Sequence, residues 1–500
     1  MSLLLLALLG ADRPNILLAI SDDQSYPHAS AYGTPGLHTP AFDRIAKAGI
    51  LFTNAYAASP GCAPSRAALL TGRHCWTLEE AGTHASRFPA ELVTYPERLA
   101  NTGYHVGHTG KGWGPGNYRI EGRRHNPAGP AFDGPKLDPP SDGISSRDYA
   151  GNFAKFLEAK PSGQPFCFWY GGHEPHRAYE DGYGRRLGKS LNHADPPAFL
   201  PDTPTVRSDL LDYFAEIEWF DRHLMQMLDQ LDTLGELENT LVIVTGDNGM
   251  PFPRAKANCY ESGIHVPLAI AWPDRLRSGL TDDRIVGFVD LTATIVDAAG
   301  ASRDGRLAEN GQSLVGEFDR DPETPATDPS AWSAFASRER HSSSRYENWT
   351  YPQRAARHGD LLYVVNERPW RWPAGDPQKF DGDTLGPPHG GYHDIDASPT
   401  LSELIERRRE FPLLFRAAVD LRPREELFDV RADPACLTNL LDRDLSAERT
   451  ADYQAIRDLL AAARQTTGDP RIDPASDVFE TYRRFSPIRT FPKPPTELPD

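Results

Sequence analysis

Four oxygen-bearing side chains make up the first group in this sequence that could do chemistry, and they follow two short apolar runs: Asp22, Asp23, Asp247 and Asn248. Three carboxylates and one amide, without a thiol or an imidazole, suit Ca²⁺ or Mg²⁺ and argue against zinc. Without a cation, carboxylates brought into one cleft would repel one another and their pKa values would rise. Taken singly, each residue is explained equally well as a turn or helix-cap residue. The prediction of a metal site therefore depends on the four side chains meeting.

A second group surrounds a cysteine in the segment 61–73, which reads GCAPSRAALLTGR. Pro64 is placed where a first helical residue is favoured and Ser65 to Leu70 continue the helical pattern, so Cys62 is expected just before a helix N-terminus. Free N–H groups at that end favour an anion, and Arg66 can reach back to the same site from one turn further on. A thiolate nucleophile is one interpretation, but it would need a histidine base and would leave the acidic group without a role.

The elements that must position these groups follow an α/β pattern. Short apolar runs typical of buried parallel strands alternate with amphipathic stretches. Apolar residues at helical spacing from Leu210 to Leu231 predict a long helix that ends near Gly235. The predicted strands are Asn15–Ile20, Phe166–Tyr170, Leu241–Thr245, Pro267–Ala271 and, more weakly, His105–Thr109.

Polar side chains follow four of these strands. Lys111 comes after the weak strand, and His173 and His176 come after the run Phe166–Tyr170, while the four oxygen ligands follow the other two. Ligand sites in open α/β sheets lie beyond the carboxyl ends of the strands. The sequence therefore predicts one site to which four strands contribute.

The segment Cys62-Ala63-Pro64-Ser65-Arg66, followed by Leu70-Thr71-Gly72, resembles the signature of the formylglycine-dependent sulfatases. The strand-end groups resemble that family in the same order along the chain. The resemblance implies an alkaline-phosphatase-like α/β fold, with a mostly parallel central sheet between helices and a smaller C-terminal α+β subdomain that carries a short antiparallel sheet. It also implies that a formylglycine-generating or anaerobic sulfatase-maturing enzyme oxidises Cys62 to formylglycine, and that Ca²⁺, or alternatively Mg²⁺, is bound.

The resemblance also implies roles for individual residues. The expected catalytic residues are Cys62, Arg66, Lys111, His176 and Lys256. The expected metal ligands are Asp22, Asp23, Cys62, Asp247 and Asn248. Lys111 and Lys256 would hold sulfate oxygens, and His176 would protonate the leaving oxygen or nitrogen, a role that suits an imidazole.

Three segments narrow the resemblance to the sulfamidase branch of the family: His173–Arg177, Asp247–Pro253 and the stretch from Glu426 to Pro434. This branch implies hydrolysis of N-sulfoglucosamine in heparin or heparan-type saccharides. An O-sulfatase or a phosphonate or phosphate monoesterase with the same nucleophile is an alternative, and a non-catalytic protein that binds sulfated glycans is a third hypothesis.

One position departs from the family pattern. The family usually has a histidine two residues after the lysine of its G-K motif, whereas Lys111 is followed by Gly112 and Trp113. His108 or His173 could take over the missing role of helping to expel sulfate. The substrate contacts that we expect are His173, Arg177, Trp113, Arg338 and His341, the last two from a segment rich in Arg and His that would face an acidic sugar.

Composition limits the partners of this chain. With 53 Lys and Arg against 70 Asp and Glu, the net charge of the 500 residues is −17, which argues against nucleic-acid binding and against coating an anionic membrane.

The apolar run Leu3–Leu9 is too short to span a membrane and matches the core of a secretory signal with a cleavage site at Gly10-Ala11. A buried first strand, or a start site that has lost a basic leader, are the alternatives.

The expected organisation has a signal peptide at residues 1–11, a catalytic domain at 12–317 and a C-terminal subdomain at 330–500. The Pro/Asp-rich stretch 320–329 is the predicted linker. In the subdomain we expect strands at Trp332–Ala336 and Leu361–Val365 and a helix near Tyr453–Arg464. Five scattered cysteines argue against a disulfide framework, and most of them, Cys62 excepted, are expected to be ordinary buried thiols. The oligomeric state stays open, with a homodimer among the arrangements that the sequence allows.

Overall fold

The computed structural model describes residues 13–318 and 331–492. Seven strands form its central sheet: β1 (Asn15–Ser21), β2 (Ile50–Tyr56), β3 (His105–Gly110), β4 (Phe166–Gly171), β5 (Thr240–Gly246), β6 (His265–Ala271) and β7 (Leu280–Gly287). Their order across the sheet is β3-β4-β1-β5-β6-β2-β7. Neighbours are parallel from β3 to β5 and between β2 and β7, whereas β6 is antiparallel to both β5 and β2.

All five runs predicted as strands form strands, with ends that differ by one or two residues. The predicted parallel orientation was wrong for the run Pro267–Ala271, which belongs to the antiparallel strand β6. An apolar run that is buried on both faces has the same composition in either orientation, so its sequence carries no sign of direction. The sequence analysis also missed β2 and β7, whose polar residues interrupt the apolar pattern.

Helices cover both faces of this sheet. The α-helices among the described residues are α1 (Pro40–Ala48), α2 (Cys62–Thr71), α3 (Tyr95–Asn101), α4 (Tyr149–Ala159), α5 (Tyr183–Arg186), α6 (Pro204–Thr233), α7 (Glu261–Ile264), α8 (Phe288–Ala298), α9 (Val315–Phe318), α10 (Pro399–Glu406), α11 (Pro412–Val419), α12 (Ala447–Thr467) and α13 (Val478–Thr481). Alternate residues of β1 explain the layering. Ile16 and Leu18 pack with α2, α3 and α8, whereas Leu17 and Ala19 pack with α1, α4 and α6.

A second, four-stranded sheet lies in the C-terminal part. Its strands are β8 (Ala334–Arg338), β9 (Gln353–His358), β10 (Leu361–Asn366) and β13 (Glu425–Asp429), all antiparallel, in the order β13-β10-β9-β8; β11 (Phe380–Asp381) and β12 (Thr384–Leu385) form a separate hairpin. The predicted antiparallel sheet is confirmed, and helix α12 contains the predicted stretch 453–464. The first strand starts two residues later than expected, at Ala334.

One hydrophobic cluster joins the two sheets. It contains Ile16 and Leu268 of the central sheet together with Ala355 and Leu362 of the second sheet. The division at 317 and 330 remains a prediction, and the linker 320–329 and the signal segment 1–11 lie outside the described residues. All five cysteines are buried and free, which confirms the prediction of buried thiols for those other than Cys62. Within residues 13–318 and 331–492, no helix is long and apolar enough to cross a membrane.

Candidate active site

The carboxyl ends of four parallel strands lie side by side at one edge of the central sheet. The register aligns Gly171 of β4 with both Gly110 of β3 and Ile20 of β1, and it aligns Ser21 with Gly246 of β5. The segments that continue from these strands therefore begin at the same level. They carry the residues that the sequence analysis singled out: Lys111, His173, Asp22 and Asp247.

The predicted oxygen ligands meet at this edge. Carboxylate oxygens of Asp22, Asp23 and Asp247 all lie within 4.8 Å of one another, and all three residues are buried. The backbone N–H of Asp23 donates to Oδ1 of Asp247 at 2.9 Å, and Nδ2 of Asn248 donates to Oδ1 of Asp23 at 2.7 Å. The four side chains thus form one cluster, and their role as metal ligands remains a prediction.

Each carboxylate of the cluster has its own cation. Nζ of Lys111 lies 2.5 Å from Oδ2 of Asp22, Nζ of Lys256 lies 2.6 Å from Oδ2 of Asp23, and Nε of Arg66 lies 2.7 Å from Oδ2 of Asp247. Burial disfavours ionisation of Asp22, but the charges of Lys111, Arg66 and Lys256 together favour it, and the pKa of this carboxyl is well below its usual range. Burial outweighs the charge of Arg66 at Asp247, whose pKa is raised.

The donor set fits a hard divalent cation. Oδ1 of Asp22 and Oδ1 of Asn248 are buried, and within the described part of the chain neither has a hydrogen-bond partner. A buried acceptor without a partner is costly, and a cation with oxygen ligands would satisfy both. The backbone of Asp23 has a φ of 72°, a left-handed conformation that is uncommon outside glycine and often found at functional sites. These residues therefore suit Ca²⁺ or Mg²⁺.

Cys62 is the first residue of helix α2, whereas the sequence analysis placed it just before the helix and Pro64 at its first position. The helix begins earlier because Gly61 takes the extended capping conformation, and the N–H of Ser65 bonds to the carbonyl of Gly61 at 3.1 Å. Sγ of Cys62 lies 3.8 Å from Oδ1 of Asp23. Burial, together with the charge of Asp22, raises the pKa of this thiol well above its usual value. The site therefore disfavours a thiolate nucleophile.

Two histidines follow β4 and occupy different surroundings. Nδ1–H of His176 donates to the carbonyl of Arg177 at 2.6 Å, so its Nε2 faces the cluster, 3.8 Å from Oδ2 of Asp23. Nε2 of His173 instead lies 2.9 Å from Nη1 of Arg147. Burial lowers the pKa of His173 to about 4. His176 is thus the histidine of this segment that is placed to deliver a proton, and His173 is held as a neutral ring.

The indole of Trp113 lies away from the cluster, so the expectation that it contacts substrate needs correction. The residue is 3% exposed, its Nε1–H donates to the carbonyl of Ala63 at 3.0 Å, and its ring packs edge-on against Phe88. The large apolar ring gains more from burial beneath α2 than from contact with solvent. His108 is equally unsuited to replace the missing histidine, because it is buried with Nδ1 bonded to the carbonyl of Gly129 at 2.9 Å.

Two arginines expected to contact substrate are bound by the protein itself. Nη1 and Nη2 of Arg177 each lie 2.7 Å from an oxygen of Asp209, and its Nε donates to the carbonyl of Pro251 at 2.9 Å. Arg338 is buried with Nη2 on Asp394 at 2.5 Å. Because buried cations require partners, both side chains fix loops around the site, and we no longer expect either to touch substrate directly.

His341 does reach the site, together with a residue that the sequence analysis missed. Nδ1 of His341 lies 3.0 Å from the point that a Cβ on Gly61 would occupy, next to Cys62. Asp396 was missed, and its Oδ2 accepts from Nζ of Lys256 at 3.0 Å. Burial opposes ionisation of Asp396, but the charge and hydrogen bond of Lys256, together with the neighbouring histidines, lower the pKa to about 2. No motif surrounds Asp396, so the sequence carried no signal for it.

The fold, with this cluster at the carboxyl ends of its parallel strands, is that of the alkaline-phosphatase-like class of hydrolases. A family model described as Sulfatase matches residues 14–301. This chain therefore belongs to the sulfatase family.

Individual relatives agree with that assignment. The N-sulphoglucosamine sulphohydrolase of Homo sapiens is 27% identical, and the similarity covers 96% of this chain and 95% of that protein. An ulvan-active sulfatase of Formosa agariphila is also 27% identical, over 86% of this chain and 71% of the relative. Among solved structures, a protein in complex with its substrate D-glucosamine-2-N,6-O-disulfate superimposes with a TM-score of 0.62 at 21% identity, covering 93% of this chain and all of that one.

Proposed function

We propose that this protein hydrolyses the sulfamate of N-sulfoglucosamine in heparin or heparan-type saccharides, with a nucleophile derived from Cys62. The observation that carries the proposal is the position of Cys62, which starts helix α2 beside three buried carboxylates and their three cations. A sulfate or sulfamate group is a compact anion with a poor leaving group, so its cleavage needs charge neutralisation, a strong nucleophile and a proton donor. This site has residues for each requirement.

Two groups that the family implies would complete the chemistry. When bound to the carboxylate cluster, Ca²⁺ would polarise a sulfate oxygen as a Lewis acid, and formylglycine at position 62 would supply an oxygen nucleophile in place of the thiol.

The chain's own side chains bind the anion and move the proton. Nε of Arg66 donates to the carboxylate of Asp247, and its Nη1 donates to the carbonyl of Lys111 at 2.6 Å. These bonds connect helix α2 to the segments that follow strands β5 and β3. The ammonium groups of Lys111 and Lys256 would bind the non-bridging sulfate oxygens. His176 would protonate the leaving nitrogen from Nε2, while its Nδ1–H stays on the carbonyl of Arg177.

The choice of N-sulfated glucosamine has two supports. The segments His173–Arg177 and Asp247–Pro253 resemble the sulfamidase branch, and the human N-sulphoglucosamine sulphohydrolase matches nearly the whole chain. We further propose that the protein is exported, that a maturing enzyme is its partner before folding, and that the division into a catalytic domain and a C-terminal subdomain follows residues 12–317 and 330–500.

The proposal is tested by assaying matured protein on heparin disaccharides that carry a single N-, 6-O- or 2-O-sulfate. Release of sulfate from the N-sulfated disaccharide is the expected result. Cleavage of an O-sulfated disaccharide without cleavage of the N-sulfated one would reject the sulfamidase assignment and retain an O-sulfatase. Turnover of a phosphonate monoester alone would favour the monoesterase alternative, and binding without turnover of any ester would favour a glycan-binding protein.

A further inference from the structure

Two arginines beside the proposed active site have guanidinium groups that the protein leaves partly unsatisfied. Arg340 is 2% exposed; its Nη2 donates to the carbonyl of Tyr482 at 2.7 Å, but its Nε and Nη1 have no hydrogen-bond partner within residues 13–318 and 331–492. Arg484 is half-buried, with Nη1 donating to the carbonyl of His341 at 3.0 Å and Nε without a partner in the same described part. Neither makes a salt bridge there.

Most other buried arginines of the C-terminal part are paired with carboxylates among the described residues, and Arg422 is an exception. Arg354 bonds to Asp469 and Glu339, and Arg345 bonds to Asp394. Burying a cation without a counter-charge carries a large free-energy cost, because the cation loses its hydration without gaining a partner. A pair of neighbouring cations without carboxylate partners is therefore a candidate position for an anion that the chain does not itself supply.

This pair lies next to the proposed nucleophile. The His341 carbonyl holds Arg484, while the imidazole of the same residue reaches Gly61, the neighbour of Cys62. The ring of His84 lies 4.7 Å from the ring of His341 between centroids, and its Nδ1 has no hydrogen-bond partner among the described residues. His84 thus offers one more polar atom along the path from Cys62 to Arg484.

Backbone hydrogen bonds fix this arrangement. The N–H of His84 donates to the carbonyl of Arg340 at 3.0 Å, and the N–H of Phe485 donates to the carbonyl of Ala85 at 2.7 Å. These bonds between the loop at 83–86 and the segment at 482–485 therefore fix the backbone positions of the two arginines beside the site. Such fixed donors bind an anion with little cost of ordering.

The charges of the surroundings agree with this geometry. Burial and the nearby charge of Arg484 lower the pKa of Arg340 to about 10. Burial also lowers the pKa of His84, with further contributions from His341, Arg484 and Lys256. His84 is therefore a neutral ring in a positive field that extends from Lys256 to Arg484, although the whole protein is acidic.

We propose a second oxyanion subsite, formed by Arg484, His84 and the more deeply buried Arg340. It binds another negatively charged group of the saccharide while the scissile sulfate lies at Cys62. The group would be a second sulfate on the same sugar or the carboxylate of an adjoining uronic acid. This inference rests on the proposed function, because it assumes that a sulfated saccharide occupies the neighbouring site. It assigns to the C-terminal segment around residue 484 a role in selecting substrates with two negative charges.

Calorimetric binding to the Cys62→Ala protein tests the subsite without any turnover. The ligands are glucosamine N-sulfate, glucosamine N,6-O-disulfate, and a disaccharide of N-sulfoglucosamine and a uronic acid. We expect one of the two dianionic ligands to bind about tenfold or more tightly than the monoanionic sugar, the magnitude of one charged hydrogen bond. The ligand that gains affinity identifies the second group as sulfate or carboxylate.

Arg484→Gln in the same background should remove this preference while leaving the affinity for glucosamine N-sulfate within about twofold, because only the charged hydrogen bond to the second group is lost. Arg489→Gln is the matched control, since Arg489 is exposed on the same C-terminal segment, and it should keep the preference. Equal affinities for the three ligands in the Cys62→Ala protein, or no binding of any, would overturn the subsite. An equal loss for all three in Arg484→Gln would do the same.

The two proposals can fail separately. If wild-type matured protein hydrolyses no sulfated sugar while the dianionic preference is present, the proposed function fails and the subsite stands. If N-sulfated sugars are hydrolysed and the preference is absent, the function stands and the subsite is rejected.

Discussion

Arg66 and Asp247 join the N-terminal turn of helix α2 to the end of strand β5. Nε of the arginine lies 2.7 Å from Oδ2 of the carboxylate, and both side chains are fully buried. The two residues are 181 positions apart in the chain. This contact fixes Cys62 against the carboxylate cluster, because Cys62 stands one turn before Arg66 on the same helix.

Replacing Arg66 by Ala should destabilise the protein and remove activity. The change leaves the carboxylate of Asp247 buried without its partner, which costs about 3–5 kcal/mol for a broken buried pair. We expect a lower free energy of unfolding in urea and loss of turnover on every sulfated substrate. Arg44→Ala is the control, since that arginine pairs with Asp229 at the surface, and its loss should cost about 0–1 kcal/mol. Equal effects of the two substitutions would contradict the structural role of Arg66.

Removal of divalent metal should abolish activity and lower the thermal midpoint, and Ca²⁺ should restore both. The reason is that the buried oxygens of Asp22 and Asn248, which have no hydrogen-bond partner among the described residues, would be satisfied by a bound cation. In scanning calorimetry, Ca²⁺ at one hundred times its Kd should stabilise the protein by about 2.7 kcal/mol. Asp247→Asn should weaken this stabilisation, whereas Asp229→Asn at the surface should not. Full turnover by protein shown to be metal-free would refute the site.

His176→Ala should reduce sulfamate hydrolysis far more than hydrolysis of an activated aryl sulfate. A sulfamate needs a proton on its leaving nitrogen, whereas a nitrophenolate leaves without one. We expect kcat/KM for glucosamine N-sulfate to fall by about 10²–10⁴-fold, the range for general acid catalysis, and a much smaller loss on the aryl ester. His38→Ala, at an exposed position, serves as the control. Equal losses on both substrates would show that His176 has another role.

Acid should destabilise the fold through buried neutral histidines. Burial lowers the pKa of His28 and of His74 to about 4, whereas an unfolded histidine titrates near pH 6.5. Between these values the unfolded chain binds more protons, so the stabilisation is complete above about pH 6.5 and is lost as the pH falls toward 4. The urea midpoint should fall over this window.

The double variant His28→Asn, His74→Asn should show a weaker fall of the urea midpoint between pH 6.5 and 4, because neither asparagine can take up a proton. His125→Asn, at an exposed position, is the matched control and should behave as wild type. An unchanged pH dependence in the double variant would mean that other groups cause the acid sensitivity.

Local pattern was sufficient for the strands that build the site. The runs that became β1, β4 and β5 are buried at every position and mostly apolar, because both faces of the sheet are covered. Charged and polar residues begin where each strand ends. Strand β2 was missed because Thr53 and Asn54 interrupt its apolar run at an irregular point in the register. Strand β7 was missed because its first half is polar and exposed.

Side-chain direction and long-range contacts could not be predicted in the same way. Trp113 stands two residues from Lys111, yet its ring packs into the core, and sequence spacing does not tell which way a loop residue points. Asp396 and Arg484 reach the site through loops that carry no periodic pattern and no motif. Tertiary packing alone brings them to Lys256 and His341.

The most direct test of the central claim is the mass of the peptide that contains Cys62, measured in active protein produced together with a sulfatase-maturing enzyme. We expect the sulfur of Cys62 to be replaced by an aldehyde oxygen, and sulfate release from glucosamine N-sulfate to rise with the converted fraction. The Cys62→Ala protein should be folded and inactive. Active protein in which every Cys62 peptide still carries an unmodified thiol would contradict the central claim.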